Sequence, residues 1–192
     1  MRQILCMEVI TMKNKDDKLQ QLIDHFDIRE VIEAYVHACD RADAAALAEV
    51  YFDDSWDDHG PFKCNGKQFA VDCTNSLIEN WSMCGHLLGQ SRIKVTGDSA
   101  GAETYLYSTL TREDGDRTML DTFVGRYIDQ FERVDGQWRI RNRRCICDWS
   151  GSSPLTEDFT KGRSLFIQGA RSQDDLSYEV LGLKRGSSFI VR

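Results

Sequence analysis

The apolar residues change their period once along this chain, near residue 82, and that single change excludes most folds. Before it, Leu19, Leu22, Ile23, Phe26, Ile28, Ile32 and Tyr35 recur at three- and four-residue steps with charges between them. That spacing predicts a helix over 16–39. An alanine-rich helix is expected over 42–51, with Asp43 as its N-cap. A third is expected over 67–81, apolar at Phe69, Val71, Leu77 and Ile78. Between the last two lies a polar stretch, 52–66, broken by Pro61 and expected as a loop with short extended pieces. After residue 82 the pattern alternates over 87–95, 102–111, 118–134 and 137–149. The separators are Thr96-Gly97-Asp98-Ser99, Glu113-Asp114-Gly115-Asp116 and Asp135-Gly136. Short Asp/Gly turns join neighbouring strands as antiparallel hairpins. Helices first and a meander afterwards mean α+β rather than alternating α/β.

A chain of 192 residues is most simply one domain with a real core. We divide it into an N-terminal extension (1–15), the domain (16–150) and a C-terminal extension (151–192). The last is rich in Gly, Ser and charge, and is expected to pack on the domain or on a neighbouring subunit. Met12 stands beside Met1 as an alternative start.

Lys and Arg number 24 against 31 Asp and Glu, a net charge of −7. That balance argues against nucleic acid or an anionic membrane as the partner, since both need a basic face. No stretch approaches the ~20 apolar residues of a membrane helix, and the first ten residues make a poor signal peptide. Seven scattered cysteines suggest reduced thiols in a cytoplasmic protein. Cys145 and Cys147 face one side of a regular strand, too few ligands for zinc, and no metal is expected. The acidic run Asp53-Asp54-Ser55-Trp56-Asp57-Asp58 lacks the Ca²⁺-loop pattern and reads as a solvated loop.

Chemistry concentrates in Asp40, closing the first helix, and His86, opening the first strand of the meander. A carboxylate that orients an imidazole makes a general base near neutral pH. Tyr35 lies five residues before Asp40, about 1.4 helical turns, so both reach one cavity mouth where the helix ends. Tyr107, Phe123 and Tyr127 are candidates to line a pocket for a small hydrophobic molecule. Arg143 and Arg144 are both candidates to stabilise a departing anion. Simple alternation groups Arg144 with Trp138 and Ile140, and Arg143 with Arg139 and Arg141; a bulge would reverse that.

The run Gly125-Arg126-Tyr127-Ile128-Asp129-Gln130-Phe131-Glu132-Arg133-Val134-Asp135-Gly136-Gln137-Trp138-Arg139-Ile140 resembles the final hairpin of the SnoaL-like family, within the nuclear-transport-factor-2-like superfamily. The resemblance covers about residues 20–150 and implies a cone-shaped α+β barrel, three N-terminal helices packed on a curved antiparallel sheet. Tyr-x-x-x-x-Asp at Tyr35–Asp40 and the Gly85-His86 strand opening are similar to bile acid 7α-dehydratase. That similarity places Tyr35, Asp40 and His86 on catalytic positions. Hexachlorocyclohexane dehydrochlorinase is similar at the Asp–His pair and favours Arg143 as the catalytic arginine; scytalone dehydratase is a more distant relative. Where the first of these has a further tyrosine, this chain has Asp57-Asp58-His59, and His59 is the candidate for that place.

The resemblance implies a cofactor-independent dehydratase, lyase or isomerase acting on a steroid-like or polyketide-like substrate. It also implies a homo-oligomer, dimer or trimer. The rival reading is a non-catalytic ligand-binding or assembly subunit of the same fold, which predicts an Asp–His pair that is occluded or out of contact. Fold membership alone does not choose.

Overall fold

The computed structural model describes residues 15–156 and 165–184. The N-terminal extension lies outside them except for Lys15, as do the remaining C-terminal residues. Helix α1 (Lys15–Asp40) buries Ile28, Val31, Ile32, Tyr35, Val36 and Cys39, one face at helical spacing. Its first half does not continue that face inward: Leu19, Leu22 and Phe26 are exposed. Helix α2 (Ala44–Glu49) is shorter than its alanines suggest. Asp43 caps it, its side chain accepting from the Ala46 N–H at 3.0 Å. Helix α3 (Gly66–Asn80) is capped by Asn65, which accepts from the Lys67 N–H at 2.9 Å.

Six strands follow the order β2-β1-β6-β5-β4-β3. They are β1 (Tyr51–His59), β2 (Phe62–Cys64), β3 (Met83–Thr96), β4 (Ser99–Asp114), β5 (Arg117–Val134) and β6 (Gln137–Pro154). Strands β3 to β6 form the expected antiparallel meander. At the β5–β6 turn Asp135 (φ +53°) and Gly136 (φ +78°) are both left-handed, the backbone of a tight hairpin turn that follows strand twist.

The stretch 52–66 differs from its expectation. It forms two strands instead of a loop, and β1 pairs parallel with β6, so the sheet is mixed. Its acidic run is not solvated throughout: Ser55 and Asp57 are buried. Polar residues made this segment look like a loop. The ladder to β6 supplies the backbone partners that allow it to go inside.

Pairing also settles which residues face the helices. On β4 the buried set is Ala100, Ala102, Thr104, Leu106 and Ser108. Tyr107 therefore belongs to the opposite face, with 41% of its surface exposed, and does not line an interior pocket. On β5, Phe123 and Tyr127 share the inner face with buried Asp129 and Phe131. On β6 the register slips, with Gln130 opposite Asn142 but Phe131 opposite Ile140. The extra residue, Arg141, is a bulge. It returns the strand to phase so that Trp138, Ile140 and Arg143 are all buried and Arg144 is exposed.

The segment 165–184, with the short helix α4 (Leu176–Val180), clamps the place where α1 ends. Arg41 pairs with Asp175 at 2.7 Å. Tyr178 and Gln173 both donate to Asp43 at 2.8 Å. Arg171 donates to the carbonyls of Leu77 and Trp81 at 2.9 and 2.6 Å, satisfying acceptors at the end of α3.

Candidate active site

Asp40 is the last residue of α1, where the helix dipole disfavours a carboxylate by about 0.3–1 kcal/mol. The compensation comes from β3. That strand is an edge of the sheet, so N–H groups on its open side have no ladder partner. The His86 N–H donates to Asp40 Oδ2 at 3.0 Å, and His86 Nδ1 meets Asp40 Oδ1 at 2.6 Å. Both carboxylate oxygens thus hold one residue. Asp40 and His86 keep 14% and 12% of their side-chain surface exposed. Among the described residues nothing hydrogen-bonds His86 Nε2. In the tautomer that donates Nδ1–H to the carboxylate, Nε2 carries the free lone pair.

Cys84 Sγ lies 3.8 Å from His86 Nδ1. Asp40, Cys84 and His86 bring ligand-type atoms within 4.8 Å of one another, a donor set that zinc accepts when the thiol is ionised. Burial and the Asp40 charge push the Cys84 thiol well up, and His86 already uses both Asp40 oxygens.

Tyr35 is fully buried, with its ring 5.4 Å from that of Tyr127 and parallel to that of Phe69 at 6.5 Å. Burial pushes its phenol well above the usual range, so the hydroxyl remains a donor. Among the described residues that hydroxyl has no hydrogen-bond partner.

Arg143 has no solvent exposure and sits between Tyr35 and Tyr127, its guanidinium 4.0 and 4.1 Å from their ring centroids. Its Nε and Nη2 each meet a carboxylate oxygen of Asp129 at 2.7 Å. This forked pair in low dielectric is strong only because both groups are fully engaged. Burial pushes the Asp129 carboxyl up while Arg143 pulls it down, and Asp129 holds the guanidinium firmly charged. Nη1 is buried and unpartnered among the described residues.

His59 reaches the same region from β1. Its ring lies 4.8 Å from Phe69 and 5.8 Å from Tyr127. Phe123 is on the row of His86, since His86 pairs with Ser108 and Ser108 with Phe123. Tyr35, His59, Tyr127 and Arg143 are therefore gathered, and Asp40, His86 and Phe123 lie on the same inner face; Tyr107 is outside it. The sequence reading passed over Asp57 and Asp129. The signal for Asp129 was present in the family-like run; for Asp57 it was hidden among neighbouring aspartates.

No helix among the described residues is long and apolar enough to cross a membrane. None of the curated proteins matches this sequence. Among solved structures the chain is similar to hexachlorocyclohexane dehydrochlorinase (LinA) type 2, with TM-score 0.63 and 19% identity over 72% of this chain and 93% of that one. It is similar to a candidate scytalone dehydratase from Novosphingobium aromaticivorans, with TM-score 0.63, 16% identity and the same coverage, 72% and 93%. It is also similar to a protein of unknown function from Mycobacterium tuberculosis, with TM-score 0.59 and 21% identity over 68% of this chain and 75% of that one. At these identities the likeness is one of fold. Residues 20–144 match the SnoaL-like domain model, and the chain belongs to the SnoaL-like domain family.

Proposed function

We propose that this protein is a cofactor-independent dehydratase, lyase or isomerase for a hydrophobic cyclic ketone, steroid-like or polyketide-like in shape. The observation that carries the reading is the Asp40–His86 contact, 2.6 Å at the ring with the second oxygen tied to the His86 N–H at 3.0 Å. His86 Nε2 removes a proton α to the carbonyl. Asp40 holds the tautomer and stabilises the imidazolium that forms, worth about 10²- to 10⁴-fold. Tyr35 donates its otherwise unpartnered hydroxyl to the oxygen on which enolate charge develops. Arg143 positions Tyr35 through the stacked ring, and its Nη1 is the remaining cationic donor. Phe123, Tyr127 and His59 offer substrate contact. The dehydrochlorinase and dehydratase names among the structural neighbours support an elimination.

The outer face carries a row formed by Leu87, Tyr107, Val124 and Trp149. Leu87, Tyr107 and Trp149 are exposed, which supports a homo-oligomer. Light scattering distinguishes dimer from trimer.

The test is turnover of a panel of cyclic β-hydroxy ketones by wild type, His86→Ala and Asp40→Asn. Each variant should lose at least about a hundredfold in kcat/KM with an unchanged circular dichroism spectrum. Equal turnover in either variant refutes the base.

A further inference from the structure

The inner face carries a second carboxylate–imidazole pair. Asp57 is completely buried, and its two oxygens are divided between two partners. The Tyr51 hydroxyl donates to Oδ2 at 2.5 Å, and His59 Nδ1 meets Oδ1 at 3.0 Å. This repeats the construction of Asp40 with His86: one carboxylate, both oxygens engaged, one ring nitrogen held. His59 keeps 22% of its side-chain surface exposed, and among the described residues nothing hydrogen-bonds its Nε2. A histidine placed only to satisfy a buried aspartate has no need of an open second nitrogen. His59 and His86 belong to one face. The His59 ring packs on Tyr127, and Tyr127 lies four residues along β5 from Phe123, on the row of His86. The Tyr35 ring lies 6.4 Å from His59, and its helix ends in Asp40.

Charge separates the two pairs. The groups facing His59 are Asp57 and Tyr51 from β1, Tyr35 from α1, Tyr127 and Asp129 from β5, and Arg143 from β6; Phe69 of α3 adds no charge. The tyrosines stay neutral, because burial pushes each phenol well above its usual range. Asp57 and Asp129 are buried carboxylates, and Arg143, cross-strand neighbour of both, is the one buried cation among these groups. Two negative charges against one leave a net −1 out of water, which is costly. A proton on His59 cancels it. Asp40 beside His86 likewise has no cation paired to it, but Asp40 and His86 keep 14% and 12% of their side-chain surface in water, which screens that charge, whereas Asp57 has none.

We infer that His59, positioned by Asp57 and Tyr51, is the general acid of this site, and that its substrates carry a hydroxyl leaving group β to a ketone. This rests on the reading of His86 as base. His86 Nε2 takes the proton α to the ketone, and the C–H electron pair becomes the new C=C bond. The β C–O bond breaks, and the oxygen takes the Nε2–H proton of His59 and leaves as water. His86 ends as imidazolium and His59 as neutral imidazole; one proton exchanged with solvent restores each. Hydroxide is too poor a leaving group to depart unassisted, whereas chloride needs no proton. An acid in this place therefore selects for loss of water.

The test has two parts, both on the full chain. Nitrogen NMR of the histidine rings, assigned with His59→Gln and His86→Gln, reads protonation directly. At neutral pH His59 should show the imidazolium pattern and His86 the neutral one. A His59 ring that stays neutral from pH 8 to pH 5 overturns the inference without any substrate. The second part compares a bicyclic β-hydroxy ketone with the same ketone carrying β-chloride. His59→Gln should slow water loss at least about a hundredfold more than it slows chloride loss, while His86→Gln slows both alike. Equal slowing of both reactions by His59→Gln overturns the acid and leaves His59 a binding residue. Chloride loss untouched by His86→Gln refutes the base reading instead, so the two failures are told apart.

Discussion

The two ends of the inner face treat ionised groups in opposite ways. At the β1–β6–β5 end, Arg143 and Asp129 are sealed from solvent and clasp each other through two bonds of 2.7 Å. At the β3 end, Asp40 and His86 are held as closely, at 2.6 Å, but remain open to solvent on one side. The first arrangement engages both carboxylate oxygens of Asp129 out of water; the second leaves a ring nitrogen of His86 unheld by any described residue. A guanidinium cannot give up its proton near neutral pH, and although burial pushes the Asp129 carboxyl up, the Arg143 charge works against that rise. An imidazole with one free nitrogen can change state at small cost. The sealed pair can serve the site only by shape and field, while His59 and His86, each with a ring nitrogen that no described residue holds, are the groups to which the proposed mechanism gives proton transfer.

The largest effect should come from breaking the sealed pair. Asp129→Ala leaves Arg143 buried and unpaired, and urea unfolding should show a loss of about 3–5 kcal/mol. Asp40→Asn, at the open end, should cost no more than about 1.5 kcal/mol in the same experiment. Comparable losses would erase the distinction between the two ends. Next in size, Tyr35→Phe removes a donor with no partner among the described residues. It should lower kcat about a hundredfold while leaving the unfolding midpoint nearly unchanged. A stability loss without a rate loss would make Tyr35 a core residue only.

A smaller effect concerns the clamp over the end of α1. Hydrogen bonds from Ser177 and the Ala170 N–H, with Arg41, hold the Asp175 carboxyl well below the usual range. A carboxyl depressed in the folded state stabilises fully above its unfolded value and loses that contribution as pH falls through the folded one. Asp175→Asn should therefore cost about 1–3 kcal/mol at pH 7, and the difference from wild type should vanish in strong acid. A pH-independent difference would mean that the clamp works by packing. Smallest of all, Tyr107→Ser on the outer face should leave kcat/KM within about twofold, whereas Phe123→Ser on the inner face should not. Turnover assays on the pair decide whether the face assignment is right.

How far the residues alone reached is clearest at three places. Asp40 and His86, at the end of a helix and the start of a strand, were legible as a pair through the family resemblance. Arg143 was legible only as one of two neighbours, since alternation pointed to Arg144. A one-residue bulge at Arg141 reversed the facing from there to a second shift at Asp148. Tyr107 was misplaced because β4 alternates aromatics with Thr, Leu and Ser, so composition does not distinguish its faces. Thr104 and Ser108 went inside and the tyrosines out.

Through its resemblance to the SnoaL-like family the sequence pointed to Asp40 and His86, while by itself it determined the three helices and the antiparallel meander. These follow from local rules of period, turn chemistry and cap residues acting over a few positions. Only the tertiary structure decided that 51–59 is a strand, that Asp57 is buried beside His59, and that Arg143 is locked to Asp129. The physical reason is that burial of a polar group depends on its partners. Asp129 meets Arg143 only through the β5–β6 pairing, and Asp57, though bonded to Tyr51 and His59 of its own strand, is placed beside Arg143 only by the parallel β1–β6 ladder.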